Sequence, residues 1–350
     1  MSTTTIPTTM RALVLEDFGS MALTERPVPR TGPGEALVRV LATGICGSDL
    51  HGYTGENGRR VPGQVMGHET VGTVAAVGPG VESLAVGDTV VLNPTLSCGR
   101  CASCARGMGH ICADRRVIGV DPTIPSAFAD YVLAPAENLV PFASEPLHGA
   151  LVEPLAVGYH AAVRGSVGAD DDVLVIGGGP IGQAVVLACR RLGARSILVS
   201  EPDAARRKLL ERLGAVTLDP AQVNLPTLAR EQTGGLGVTV AVDAVGATTT
   251  VQSAIDSTVA GGTCVLVGMA SPQIELAAYA LSTFERSVVG AFCYPADEFT
   301  QTARWAAANP EMLDPLISRT VTAEEAPAVF AAMALGDNPP GKVLVSFGSV

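Results

Sequence analysis

The chain has 350 residues, 47% of them hydrophobic and 16% charged, which is enough to bury a large core and too many for one typical domain. Two packed domains with a cleft between them are therefore expected. The formal net charge of −11 argues against nucleic acid as a partner, because binding to a phosphate backbone requires a basic surface.

The first nine residues, MSTTTIPTT, lack the basic start and apolar run of a signal peptide, so they read as a frayed tail on a cytoplasmic protein. Uncharged stretches beginning at Val173 and Ser257 approach the length of a membrane span. Each is broken by a glycine cluster and contains proline, so both read as buried strand, turn and helix, with no membrane partner.

From Met10 to about Val140, short runs (ALVLE, ALVRVLA, TVGTVAAVG, TVVLNP, FADYVLAP) are punctuated by Gly and Pro and predict a mostly β, barrel-like domain. Within it, GICGSDLH (44–51) and GHE (67–69) supply Cys46, His68 and Glu69. A thiolate, an imidazole and a carboxylate suit a catalytic Zn ion that keeps one position open for water or substrate. Taken singly, Cys46 would read as a small buried apolar residue and His68 as a satisfied core histidine; the joint spacing favours the metal. Asp49 is placed either to accept the second ring N–H of a ligand histidine or to cap a turn.

Next come Cys98, Cys101, Cys104 and Cys112, four of eight cysteines, crowded into a glycine-punctuated loop. Four thiolates so spaced suit a closed, tetrahedral structural Zn site, with an iron–sulfur cluster as the other metal reading. Four sulfurs fill the shell, so His110 is expected at the surface. Glu153, in LVEPLAVGYHA, is a further candidate ligand facing the cleft, or an ordinary helix-start glutamate.

After Tyr159 the pattern alternates between strands and amphipathic helices. Strands are expected at 173–176, 197–200, 215–218, 239–243, 263–267 and 287–290, which predicts a doubly wound parallel sheet. In VLVIGGGPIGQAVVLA, Gly177, Gly179 and Gly182, with Pro180 and Ile181 between them, follow a strand and open a helix. Glycines there permit a tight turn and close approach of backbone N–H groups to a pyrophosphate. Glu201, about 20 residues on, matches the acidic residue that binds the adenosine ribose and repels a 2′-phosphate, favouring NAD over NADP. Arg206 and Arg207 either rim the adenosine site or face solvent. Leu209, Leu210 and Leu213 form an apolar stripe on the next helix, which Gly214 stops. Beyond about Tyr294, helical text leads to a final β run, KVLVSF, expected to return to the first domain.

In this order along nearly the whole chain, GICGSDLH, GHE, the four-cysteine lobe, LVEPLAV and IGGGPIG resemble the zinc-dependent medium-chain alcohol dehydrogenases, particularly the polyol, sorbitol, threonine and 2,3-butanediol branch. The resemblance implies an α/β fold: a GroES-like β-barrel catalytic domain (10–158, with 294–350 returning to it) plus a doubly wound Rossmann domain (159–293). It implies a catalytic Zn on Cys46 and His68, with Glu69 or Glu153 as third ligand or water partner. With the four-cysteine site, two Zn per chain are expected. It also implies a proton relay from Ser48 through the nicotinamide ribose to His51, and a homodimer or homotetramer, for which the strand ending at Gly290 is a contact edge.

The expected reaction is hydride transfer between NAD(H) and a secondary alcohol/ketone pair. Alcohol-specialised relatives often carry cysteine at the position of Glu153, which points this chain toward a polyol, vicinal diol or aminocyclitol. The region GYTGENGRRVP and the surroundings of Phe292 and Tyr294 are expected to shape the pocket. Two alternatives stand beside this reading. A zinc-independent quinone or enone reductase of the same fold would not need the metal ligands, and a non-catalytic NADH-binding protein would not need the relay.

Overall fold

The computed structural model describes residues 6–56 and 58–348. Of the tail expected over 1–9, residues 1–5 lie outside the described residues. The chain divides into two compact units, Met1–Glu153 with Pro295–Val350, and Pro154–Tyr294.

The first unit opens with β1 (Thr9–Asp17) and β2 (Ser20–Pro27), an antiparallel hairpin turned at Gly19, whose φ of 79° suits glycine. There follow β3 (Glu35–Gly44), β4 (Glu69–Val77), β5 (Thr89–Leu92), β6 (Thr95–Leu96), β7 (Arg116–Val117), β8 (Tyr131–Pro135) and β9 (Leu139–Pro141). β3 is central, antiparallel to both β4 and β8. β4 can lie close to β3 because Gly72 has no side chain: a Cβ there would stand 2.4 Å from Arg39 O.

The second unit holds β10 (Asp172–Ile176), β11 (Ser196–Ser200), β12 (Val216–Leu218), β13 (Val238–Asp243), β14 (Thr258–Leu266) and β15 (Ser287–Gly290). They form one parallel sheet in the order β12-β11-β10-β13-β14-β15. Every residue of β10 is buried, as a parallel strand covered on both faces requires. Each of the six expected strands is present. β14 starts five residues earlier than expected because Gly261 and Gly262 read as a breaker. Gly262 instead lets the strand approach its neighbour, since a Cβ there would lie 2.8 Å from Thr239 O. The helix Ala204–Arg212 is capped by Asp203, which accepts from the Arg206 N–H at 2.8 Å, and it buries Leu209 and Leu210 together with Leu213 just beyond it.

The chain then returns to the first unit. After the helix Ala296–Ala308 come β16 (Ile317–Thr322), the helix Ala326–Ala334 and β17 (Lys342–Ser346). β17, the KVLVSF run, pairs antiparallel with β3, completing the order β16-β17-β3-β4-β5-β9 with β8 also on β3. Leu13, Leu37, Met66, Phe128 and Phe330 fill the core, with Phe128 and Phe330 edge to face at 5.5 Å. Among the described residues no helix is long and apolar enough to cross a membrane.

Candidate active site

The first constellation follows from the β3–β4 register, in which Gly44 is opposite Glu69. Cys46, two residues past the end of β3, is the N-cap of the helix Gly47–Tyr53, and His68 immediately precedes β4. One donor atom each from Cys46, His68 and Glu69 lies within 4.8 Å of the others. The carboxylate of Glu69 fits only because residue 44 is glycine: a Cβ there would be 2.2 Å from Glu69 Oε2.

His68 and Glu69 are nearly removed from water and Cys46 is half-buried, so the two buried polar groups need partners. Glu69 Oε1 accepts from Lys342 Nζ at 2.7 Å, while Oε2 has no hydrogen-bond partner among the described residues. His68 Nδ1 stands 3.5 Å from Asp49 Oδ1, an ion-pair distance rather than a hydrogen bond, and is likewise without a hydrogen-bond partner. Asp49 Oδ2 accepts from the Cys46 N–H at 3.2 Å, and Oδ1 from Arg60 Nη2 at 3.4 Å.

Burial alone would lower the pKa of His68, but Asp49 and then Cys46 act against it and hold it well above the usual imidazole value. Burial would raise Asp49, yet His68 and Arg60 keep it below the ordinary carboxylate value. Lys342 is raised, burial being outweighed by Glu69, Cys46 and Glu153. Glu153, buried at the start of the helix Val152–Arg164, therefore contributes to the same field although it is outside the three-donor cluster. The orphaned Glu69 Oε2, beside a thiol and an imidazole whose Nδ1 faces Asp49, is what a tetrahedral Zn ion would satisfy.

Sequence reasoning missed two members of this network. Arg60, 2% exposed, lies in a polar segment whose charges read as solvated, and Lys342 is 273 residues from its partner. The first had no signal; a lysine opening the apolar run KVLVSF was a weak one.

Ser48 and His51 lie on the helix Gly47–Tyr53 three residues apart, hence on neighbouring positions of one face. Ser48 is half-buried and His51 exposed, with Nδ1 2.9 Å from Glu56 Oε2.

The four-cysteine lobe is compact. The Sγ separations are 3.9 Å (Cys98–Cys104), 3.5 Å (Cys101–Cys104) and 3.8 Å (Cys101–Cys112). A tetrahedron of 2.3 Å Zn–S bonds has edges of about 3.8 Å, so the spacing fits a single ion. In an iron–sulfur cluster the four cysteine sulfurs are spread over two or four irons, so they do not all stand within one tetrahedron around a single ion. The Cys104 backbone N–H lowers the Cys101 thiol to about 6, while burial and the neighbouring thiols push Cys112 up to about 11, so Cys101 is the readiest thiolate of the four. His110, expected at the surface, is instead buried at 5% exposure in the single turn Gly109–Ile111. The turn that delivers Cys112 to the lobe carries it inward.

In the second unit, Gly177 has φ 95° and turns the chain from β10 into the helix Pro180–Leu192. Gly182 packs so tightly that a Cβ would meet Gly177 O at 1.9 Å, whereas at Gly179, the N-cap, only Arg206 Nη1 comes within 4 Å. The open side of the turn thus leaves room for a phosphate at the helix N-terminus, which Pro180 starts and Ile181 continues. Glu201, 3% exposed, accepts from the N–H groups of Gly178 at 2.6 Å and Asp203 at 2.8 Å. Arg206 is half-buried beside this turn, and Arg207 donates to the carbonyls of Glu201 and Pro202 at 2.8 and 2.7 Å.

Comparison with known proteins matches two family models, the alcohol dehydrogenase GroES-like domain over residues 32–144 and the zinc-binding dehydrogenase over residues 180–308. An L-threonine 3-dehydrogenase of Pyrococcus horikoshii is 36% identical over 71% of this chain and 72% of its own. A sorbitol dehydrogenase of Bacillus subtilis is 33% identical over 83% of this chain and 84% of its own. A protein of Sinorhizobium meliloti assigned as a zinc-binding dehydrogenase and crystallised with NADP superposes with a TM-score of 0.89 at 32% identity, over 97% of this chain and 100% of that one.

Proposed function

The chain belongs to the zinc-dependent medium-chain alcohol dehydrogenase family, and from that premise we propose that it moves a hydride between NAD(H) and a secondary alcohol/ketone pair, the alcohol being a polyol, vicinal diol or aminocyclitol. Oxidoreduction of alcohols with a nicotinamide cofactor is the family's activity. The observation that carries the site assignment is the convergence of Cys46, His68 and Glu69 donors within 4.8 Å of one another.

Cys46, His68 and Glu69 would hold the catalytic Zn, and Cys98, Cys101, Cys104 and Cys112 a structural one. A Zn ion at the first site supplies Lewis acidity, making a bound alcohol more acidic. A nicotinamide supplies the hydride acceptor. Everything else falls to the chain. Asp49 orients His68 and is itself balanced by Arg60. Lys342 occupies one oxygen of Glu69 and leaves the other for the ion, while Glu153 adds negative charge nearby. Ser48 accepts the hydroxyl proton as it releases its own toward His51, which is exposed on the same helix and gives it up to water. The turn Gly177–Gly182 receives the pyrophosphate, and Glu201 the adenosine ribose, which disfavours a 2′-phosphate. Arg206 stands beside that turn, and the NADP-bound relative makes NADP the competing cofactor. A homodimer or homotetramer joined at the exposed edge β15 belongs to the same reading.

The zinc-free reductase and the non-catalytic binder are not favoured, since neither accounts for the donor set. The deciding experiment is metal analysis of chelator-washed protein combined with NAD and NADP reduction across diols and polyols. About two Zn per chain, turnover lost in Cys46→Ser and a preference for NAD are expected. One Zn or none with no turnover would overturn the proposal.

A further inference from the structure

We infer that Glu56 is a positioning residue for His51, fixing the imidazole with its hydrogen on Nδ1 so that Nε2 is the nitrogen that accepts the departing proton. This rests on the relay proposed above for Ser48 and His51.

His51 Nδ1 and Glu56 Oε2 are 2.9 Å apart. An ionised carboxylate can only accept, so this contact is a hydrogen bond only when Nδ1 carries the hydrogen. The neutral ring then has its lone pair on Nε2. An unpartnered imidazole in water favours the opposite tautomer, which would present a donor where the relay needs an acceptor.

The backbone builds this contact. The helix Gly47–Tyr53 ends with the Thr54 N–H donating to Leu50 O at 2.9 Å, and Gly55 turns the chain back at φ 81°. Residue 55 must be glycine twice over, because a Cβ there would also lie 2.9 Å from the ring of Phe18. Tyr53, 4% exposed, ties the turn to the first hairpin by donating to Gly19 O at 2.5 Å. Glu56 is thereby brought back beside the helix face that carries His51.

The two side chains are 58% and 66% exposed, so their pairing adds little to folding stability and its consequence is orientation. A proton arriving at Nε2 makes the ring an imidazolium facing the Glu56 carboxylate. Loss of that same proton to water, which reaches an exposed side chain, restores the starting tautomer.

The test is long-range ¹H–¹⁵N NMR of the intact, zinc-loaded protein at a pH of about 8.5, well above the ordinary imidazole value. His51 is assigned by the signals lost in His51→Gln. The wild type is expected to show the Nδ1–H tautomer, Glu56→Ala the Nε2–H tautomer, and Glu56→Gln, whose amide oxygen still accepts, the wild-type pattern. In parallel, kcat should fall about tenfold in Glu56→Ala with KM and Tm unchanged, and recover in Glu56→Gln. An Nε2–H wild type, or identical tautomers in wild type and Glu56→Ala, overturns the inference. A tautomer shift with a kcat indifferent to both His51→Gln and Glu56→Ala upholds the positioning and refutes the relay on which its purpose depends.

Discussion

Lys342 Nζ donates to Glu69 Oε1 across 2.7 Å, and both side chains are almost wholly removed from water, at 3% and 0% exposure. Neither charge could sit there alone. The Lys342→Met variant leaves a buried carboxylate without its counter-charge and is expected to lose about 3–5 kcal/mol of unfolding free energy in metal-free protein. The double variant Lys342→Met/Glu69→Leu removes both charges and should recover much of that loss. Urea unfolding of the four-member cycle measures it, and additive losses would show that the pair is not coupled.

A second prediction concerns a residue with no functional group. In Gly44→Ala the new Cβ would lie 2.2 Å from Glu69 Oε2 and 3.2 Å from its Cβ, against a carboxylate that Lys342 already holds. The carboxylate must shift away from Cys46 and His68. Metal analysis should show the catalytic ion depleted while the four-cysteine site stays filled; full retention of both ions would mean that Glu69 does not hold the metal.

The parts of this fold that were readable are those in which one local pattern does one job. β10 through β15 were visible because a doubly covered parallel sheet is written as apolar runs between helices. Cys46 and His68 were visible as motifs, yet their meeting depends on the β3–β4 register. β2 and β16 carry no such pattern because they are edge strands whose exposed, polar positions break the alternation. Arg60 and Lys342 were opaque for a stronger reason. A charged side chain reads as solvated unless its partner is known, and the partner of Lys342 is reached only after β17 crosses back onto β3.

The four-cysteine lobe makes a separable prediction. Cys101 Sγ lies 3.5 Å from Cys104 Sγ and 3.8 Å from Cys112 Sγ, at one vertex of the tetrahedron. Cys101→Ser replaces a soft thiolate by a hydroxyl that seldom ionises, and the lobe is expected to release its ion. Zinc should fall from about two to about one per chain, with a lower Tm, because ligand bonds in a closed site contribute to folding. An unchanged zinc content would refute the assignment of this lobe as a metal site.

The last prediction concerns pH and lies far from any metal ligand. Asp172, at the start of β10, accepts from Arg195 Nη2 at 2.5 Å and Nε at 3.0 Å, and from Ser196 Oγ at 2.6 Å. The hydrogen bonds from Arg195 hold its pKa below the ordinary carboxylate value, against the opposing effect of burial. The unfolded chain has an Asp pKa of about 3.9, so the folded state binds fewer protons in the window below it. The stabilisation from this group is therefore fully present above about 3.9 and is lost as pH falls through the depressed folded value. Arg195 is 58% exposed, so solvent screening limits the gain, and Asp172→Asn should cost only about 1 kcal/mol at neutral pH. The gap between wild type and variant in urea unfolding should hold from about pH 7 to about pH 5 and then narrow over the range from about 4 down toward about 2. A gap that stays constant across that range would mean the carboxylate contributes through its shape and neutral hydrogen bonds, and not through its charge.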